Sequence, residues 1–283
     1  MPSVVLNRQR WFYETWGTPS APAVLLLHGF TGSHASLARL AVALASEFFV
    51  VAPDLPGHGR TPAPTDAREL AMAATADRLS TLLTRLAVGQ AFVLGYSMGG
   101  RLALHLAVQS PQQVRGLVLE SASPGLRDAS ERLSRRQQDE ALANAIERQG
   151  IAWFVHYWAN QALFQHQSPE VKARENRIRQ QQTTFGLAQS LRGAGTGAQA
   201  SLWEALPHLA MPVLLATGSQ DAKFHAIAQD MAGAIPNVQW VSIPDAGHTV
   251  HDDNSRAFFK ALTAFLRGFT ASAKKEGGPL HGI

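Results

Sequence analysis

Residues 92–104, FVLGYSMGGRLAL, decide how the chain is read. A short apolar run ends in Gly95-Tyr96-Ser97-Met98-Gly99 and then turns amphipathic, the pattern of strand, sharp turn and helix. Glycines two before and two after a serine let the backbone turn so tightly that the hydroxyl stands out at the N-terminus of the following helix. Ser97 is that serine. The Met98 N–H lies at the positive end of the helix dipole and is one donor for an oxygen anion forming beside the hydroxyl. The five letters alone could arise by chance in a chain with 23 glycines. The strand before them and the helix after them argue otherwise.

Upstream, residues 4–6 and 11–15 read as an antiparallel pair at a sheet edge. Ala23–Leu27 is a continuous apolar run of the buried parallel kind, and it leads into His28-Gly29-Phe30-Thr31-Gly32. A glycine-flanked loop after an early strand lets backbone approach a ligand, so the Phe30 N–H is the second candidate oxyanion donor. A helix over 36–46 and a strand over 48–53 follow. In the loop Asp54-Leu55-Pro56-Gly57-His58-Gly59, His58 reads as structural. Residues 67–86 are helical. Arg101, four after Ser97, lies on the same helix side, where it is as well explained by solvation as by a ligand.

Beyond the strand Val114–Glu120 the strand–helix alternation stops. Helical, Gln- and Arg-rich segments are expected over 129–149, 151–165, 169–181 and 187–191, which makes 124–206 a helical lid on a core of 1–123 and 207–270. Arginine suits planar carboxylates better than lysine does. Most lid arginines are balanced by neighbouring acids and belong to a solvated face, with one or two facing a cleft. Strand signals return over 212–217, followed by Asp221, the natural triad acid. Val238–Ile243 leads to Pro244-Asp245-Ala246-Gly247-His248, whose histidine is the natural base. Asp245, Asp252 and Asp253 are rival acids that loop solvation explains, and His251 has no glycine before it to expose it. A helix over 255–269 and a disordered tail over 271–283 close the chain.

The composition excludes several classes. At 283 residues and 46% apolar content, one large α/β domain with an inserted subdomain is expected. The absence of cysteine removes thiolate chemistry. A net charge of +4 spread without a basic block gives little reason for nucleic-acid binding. No apolar run approaches about 18 residues, and no export signal opens the chain, so a soluble, cytoplasmic protein without membrane insertion is expected. Monomer and homo-oligomer both stay open.

Ser97, Asp221 and His248 occur in the order nucleophile, acid, histidine. Together with His28-Gly29-Phe30, the Asp54-to-Gly59 loop and the lid, they resemble the α/β-hydrolase superfamily over nearly the whole chain. That resemblance implies a mostly parallel sheet flanked by helices. Finer motifs, Gly95-to-Arg101, Glu120, Pro124-Gly125-Leu126 and Asp221-Ala222-Lys223-Phe224, resemble the 2-succinyl-6-hydroxy-2,4-cyclohexadiene-1-carboxylate synthase family of menaquinone biosynthesis. This resemblance implies that Tyr96, Arg101, Arg135, Trp158 and Arg179 bind substrate, with Arg177 as the alternative to Arg179. It implies a small polycarboxylate substrate, elimination of pyruvate, and no metal or organic cofactor. A serine hydrolase of a carboxylated ester or C–C bond uses the same triad, and a non-catalytic small-anion receptor would need neither triad nor oxyanion donors.

Overall fold

The computed structural model describes residues 2–276. Eight strands form one sheet: β1 (Ser3–Leu6), β2 (Gln9–Trp16), β3 (Ala23–Leu27), β4 (Phe49–Pro53), β5 (Ala91–Tyr96), β6 (Val114–Glu120), β7 (Val213–Gly218) and β8 (Val238–Ile243). Their order is β1-β2-β4-β3-β5-β6-β7-β8. Only the β1–β2 and β2–β4 pairings are antiparallel, so the expected edge pair flanks a parallel body. The nine α-helices of the described residues are α1 (Ala38–Leu44), α2 (Met72–Arg85), α3 (Met98–Gln109), α4 (Ala129–Ala159), α5 (Pro169–Gln180), α6 (Thr184–Ala194), α7 (Ala222–Ala234), α8 (Val250–Asp253) and α9 (Ser255–Glu276).

The central strands are apolar throughout because both faces of the sheet are covered. Leu25 and Leu27 point into one core with α2, α3 and α7, while Val24 and Leu26 point into the other with α1 and α9. This period-two division of one unbroken apolar run is what a strand buried on both faces requires. Between β6 and β7 the chain leaves the sheet for α4, α5 and α6, of which α4 and α6 share a smaller apolar cluster of Ala143, Ile146, Phe154, Leu187, Ala188 and Leu191. That cluster seats this layer over the strand ends that carry the site.

Element bounds differ from expectation where local geometry intervenes. The 67–86 segment breaks at Ala71, whose extended backbone (ψ 139°) separates a 3-10 turn from α2. Gly150, with φ 83°, bends α4 at the boundary expected between two helices. The second half of α4 ends at Ala159, followed by a separate 3-10 turn, Ala162–Phe164, instead of running to Gln165. The short segment expected at 187–191 lies inside α6, whose first turn is capped by the Thr183 hydroxyl accepting from the Gly186 N–H. Helix α9 continues to Glu276, six residues into the stretch expected as a disordered tail, and residues 277–283 lie outside the described residues.

Candidate active site

Ser97 sits between β5 and α3 with φ 50° and ψ −108°, a strained conformation that aims its hydroxyl away from both elements. The flanking glycines are required by contact: a Cβ on Gly95 would lie 2.2 Å from the Gly99 carbonyl oxygen, and one on Gly99 would lie 2.1 Å from that of Leu27. The Ser97 N–H is anchored on the Glu120 carbonyl at 2.9 Å, which ties the turn to the neighbouring strand. Asp221 and His248 lie beyond the ends of β7 and β8. The His248 Nδ1–H donates to Asp221 Oδ2 at 2.7 Å, and the His248 Nε2 accepts from the Ser97 hydroxyl at 3.0 Å. An ionised carboxylate can only accept, so it fixes the tautomer that leaves Nε2 free to take a proton. Asp221 itself caps α7, its other oxygen accepting from the Phe224 N–H at 3.2 Å.

The three residues are thus brought together from separate loops, and two of the three rival acids have other work. Asp253 accepts from the Gly247 N–H at 2.9 Å, holding the loop that carries His248. Asp252 forms an ion pair with Arg174, and its side chain is only 4% exposed, so solvation does not account for it. Asp245 is exposed in a turn, with φ 53°.

The N–H groups of Phe30 and Met98 donate to no other group among the described residues. The Phe30 loop is braced from below by His28, a residue that the sequence marks only as part of a glycine-rich turn. Its Nδ1–H donates to the Gly29 carbonyl and its Nε2 accepts from the Leu55 N–H, which requires a neutral ring. Burial agrees, pushing the His28 pKa down to about 4. His58 packs edge-on against His28 and Phe30, and burial lowers it to about 3.

A cavity of about 440 Å³ opens over Ser97 and His248. Met98 and Arg101 line it from α3, Arg135 and Trp158 from α4, and Ser190, Leu191 and Ala194 from α6. Trp158 packs edge-on against Phe30 with ring centres 5.2 Å apart and lies over Phe154, making an apolar wall beside the Phe30 loop. Arg101 is buried, and its Nη1 donates to the Ala194 carbonyl at 3.0 Å and to Gln199 Oε1 at 2.8 Å. Burial first, and then the neighbouring Arg135 charge, lower its pKa to about 10, which leaves it cationic at neutral pH. Arg135 is half-exposed and pairs with Asp139 at 2.8 Å. Arg127, stacked on Trp203 at 3.8 Å, and Lys223 add positive charge to the lining, opposed by Asp128 and Glu131.

Two expected substrate residues stand elsewhere. Tyr96 and Arg179 line a separate small cavity of about 20 Å³, on the other side of Phe30, with Glu175 and His251. Tyr96 is pinned there because its hydroxyl shares a hydrogen bond with Thr249 at 3.0 Å, and burial holds its phenol protonated. Arg179 donates to Thr31 and Asn176 and lies over the Phe164 ring, and it does not line the larger cavity. Arg177 is exposed and lines neither space. Among the described residues no cluster of His, Asp or Glu is arranged to hold a metal ion, and no helix is long and apolar enough to cross a membrane.

The α/β-hydrolase-fold family model matches residues 22–255. A Bacillus subtilis (strain 168) protein provisionally named 2-succinyl-6-hydroxy-2,4-cyclohexadiene-1-carboxylate synthase is 39% identical over 88% of this chain and 92% of its own. A Salmonella agona (strain SL483) protein named as the same synthase is 30% identical over 89% of this chain and 96% of its own. Among solved structures, MenH from S. aureus superposes with a TM-score of 0.87 at 31% identity, covering 91% of this chain and 98% of that one. A malate-bound thermophilic esterase from Thermogutta terrifontis has a TM-score of 0.80 at 26% identity, covering 95% and 98%. With a serine, a histidine and an aspartate joined at one cavity of this sheet, the chain belongs to the α/β-hydrolase-fold enzymes and, among them, to the 2-succinyl-6-hydroxy-2,4-cyclohexadiene-1-carboxylate synthase family.

Proposed function

We propose that the protein is a lyase that eliminates pyruvate from 2-succinyl-5-enolpyruvyl-6-hydroxy-3-cyclohexene-1-carboxylate, with Ser97 and His248 as the base. The observation that carries this reading is the buried Arg101, a cation lining the same cavity as Ser97 and His248, whose side-chain partners among the described residues are neutral oxygens. A cation built without a carboxylate partner suits a ligand that brings one. Arg135, Arg127 and Lys223 supply further positive charge for a molecule with several carboxylates.

In this mechanism His248 Nε2 draws the Ser97 proton, and the serine oxygen takes the proton beside the succinyl ketone. The enolate oxygen is held by the Phe30 and Met98 N–H groups. Electrons then move through the ring to break the C–O bond to the enolpyruvyl group. The departing enolate recovers a proton from the His248 imidazolium, which Asp221 stabilises until then, and tautomerises to pyruvate. No covalent intermediate forms, and no step calls on a metal or an organic cofactor. Residues 124–206 act as a lid that excludes water while Arg101 and Arg135 orient the carboxylates. Tyr96 and Arg179 support the site from behind, bracing the His248 loop through Thr249 and the Phe30 loop through Thr31.

The test is to mix the protein with the enolpyruvyl substrate and follow pyruvate. One pyruvate per substrate, with slow turnover of uncharged esters, is expected. Efficient cleavage of neutral p-nitrophenyl esters with a stoichiometric burst, and no pyruvate, would overturn the reading in favour of a hydrolase in which Ser97 is the nucleophile.

A further inference from the structure

Arg101 is held by the segment that leaves α6. The Ala194 carbonyl belongs to the last turn of that helix, whose partial negative charge suits a cation, and Gln199 Oε1 completes the cradle. Gln199 is 3% exposed, and its segment is fixed from the other side by Asp139, which accepts from the Gly197 N–H at 3.2 Å as well as from Arg135. The amide orientation is determined by chemistry. Arg101 has only donors, so the Gln199 oxygen must face it and the Gln199 nitrogen must face away.

That nitrogen has no hydrogen-bond partner among the described residues and lies against Gly125, where a Cβ would come within 3.1 Å of it. A buried N–H₂ without an acceptor costs stability. A glutamate here would pair directly with Arg101 and carry no unpaired donor. The chain instead keeps the neutral residue, which orients the guanidinium without neutralising it.

We propose that Gln199 is a positioning residue for the substrate: its neutral amide aims Arg101 into the cavity and leaves its charge for a substrate carboxylate. This rests on the reading of the cavity as a polycarboxylate site. It makes position 199 a determinant of selectivity for anionic substrates, acting through Arg101 with no contact to the reacting atoms.

The test compares wild type with Gln199→Glu and Gln199→Met, measuring KM, kcat and thermal unfolding. Gln199→Glu places a carboxylate on Arg101 in competition with the substrate. It should raise KM by about tenfold or more, hold kcat within about threefold, and leave the Tm unchanged or higher. Gln199→Met removes the acceptor at similar volume and should raise KM by a smaller factor. A merely structural residue would lower the Tm in both variants and lower kcat with KM unchanged, and that outcome would overturn the proposal. So would a wild-type KM in a stably folded Gln199→Glu. If wild type released no pyruvate, the lyase reading would fall by itself. The Tm of Gln199→Glu would still decide the pairing, a rise supporting it and a fall opposing it.

Discussion

Two histidine–carboxylate pairs stand three residues apart in this protein and do different things. His248 pairs with Asp221 through Nδ1, and its Nε2 reaches Ser97 at the floor of the large cavity. His251 pairs with Glu120 through Nδ1 at 2.8 Å, and its backbone N–H donates to the same oxygen at 2.9 Å. Tyr96 packs between them, with ring centres 5.5 Å from His248 and 5.0 Å from His251. Burial opposes charge on His251, but Glu120, Asp252 and Glu175 outweigh it and push its pKa up to about 9. Its ring is therefore a buried cation bracing the first turn after the His248 loop. The pair alone does not make a base: what separates the two is a free Nε2 facing a hydroxyl and a cavity.

If that distinction is right, damage to the two pairs should appear in different measurements. The largest effect is expected at the first pair. Ser97→Ala and His248→Ala should each cut kcat by about 10²–10⁴-fold with unfolding midpoints near wild type, and the double variant should be little worse than either single one. Losses that multiply would mean the two residues act in separate steps.

At the second pair the loss should fall on stability. Glu120→Gln leaves a buried imidazolium without its main partner and should cost about 3–5 kcal/mol in denaturant unfolding, with activity reduced far less than in Ser97→Ala. The pH dependence follows from the upward shift. A pKa raised from the usual 6.5 to about 9 gives stability that is fully present below pH 6.5 and lost as pH rises through 9. The gap between wild type and Glu120→Gln should therefore be widest on the acid side and close at alkaline pH. A gap that stayed constant across this range would show that His251 is neutral in the fold.

Smaller effects are expected at the arginines. Arg101→Ala loses a charge-assisted bond of roughly 1.5–3 kcal/mol, or about tenfold or more in kcat/KM, and lysine should rescue poorly because it cannot reproduce the fork of donors. Arg135→Ala should cost less, about threefold, since its charge is half-exposed and already paired with Asp139. Equal losses at both positions would contradict the separate role given to the buried arginine.

Much of this layout is legible in the chain because local patterns determine it. The glycine spacing around Ser97, the unbroken apolar run at Ala23–Leu27 and the switch to polar helices after β6 each need only neighbouring residues to be read. What the sequence does not reveal depends on distant partners. The bond between His251 and Glu120 spans 131 positions, and nothing near either residue announces the other. The placement of Arg179 depends on how the α4–α6 layer packs, and that of Tyr96 on Thr249, 153 positions away, and no periodicity encodes either. Arg177 and Arg179 are equivalent letters in a helix until packing makes one exposed and the other buried. Gln199, in a small-residue loop, carries no local signal at all.

In the proposed elimination Ser97, with His248, removes a proton from carbon. This step is tested most directly with a substrate deuterated at the carbon beside the succinyl ketone, comparing kcat/KM for pyruvate release with that of the unlabelled compound. A primary isotope effect well above one is expected, with pyruvate release lost in Ser97→Ala. An effect of one, with pyruvate still released at the wild-type rate and an acyl-enzyme detectable on Ser97, would contradict it and make the serine a nucleophile.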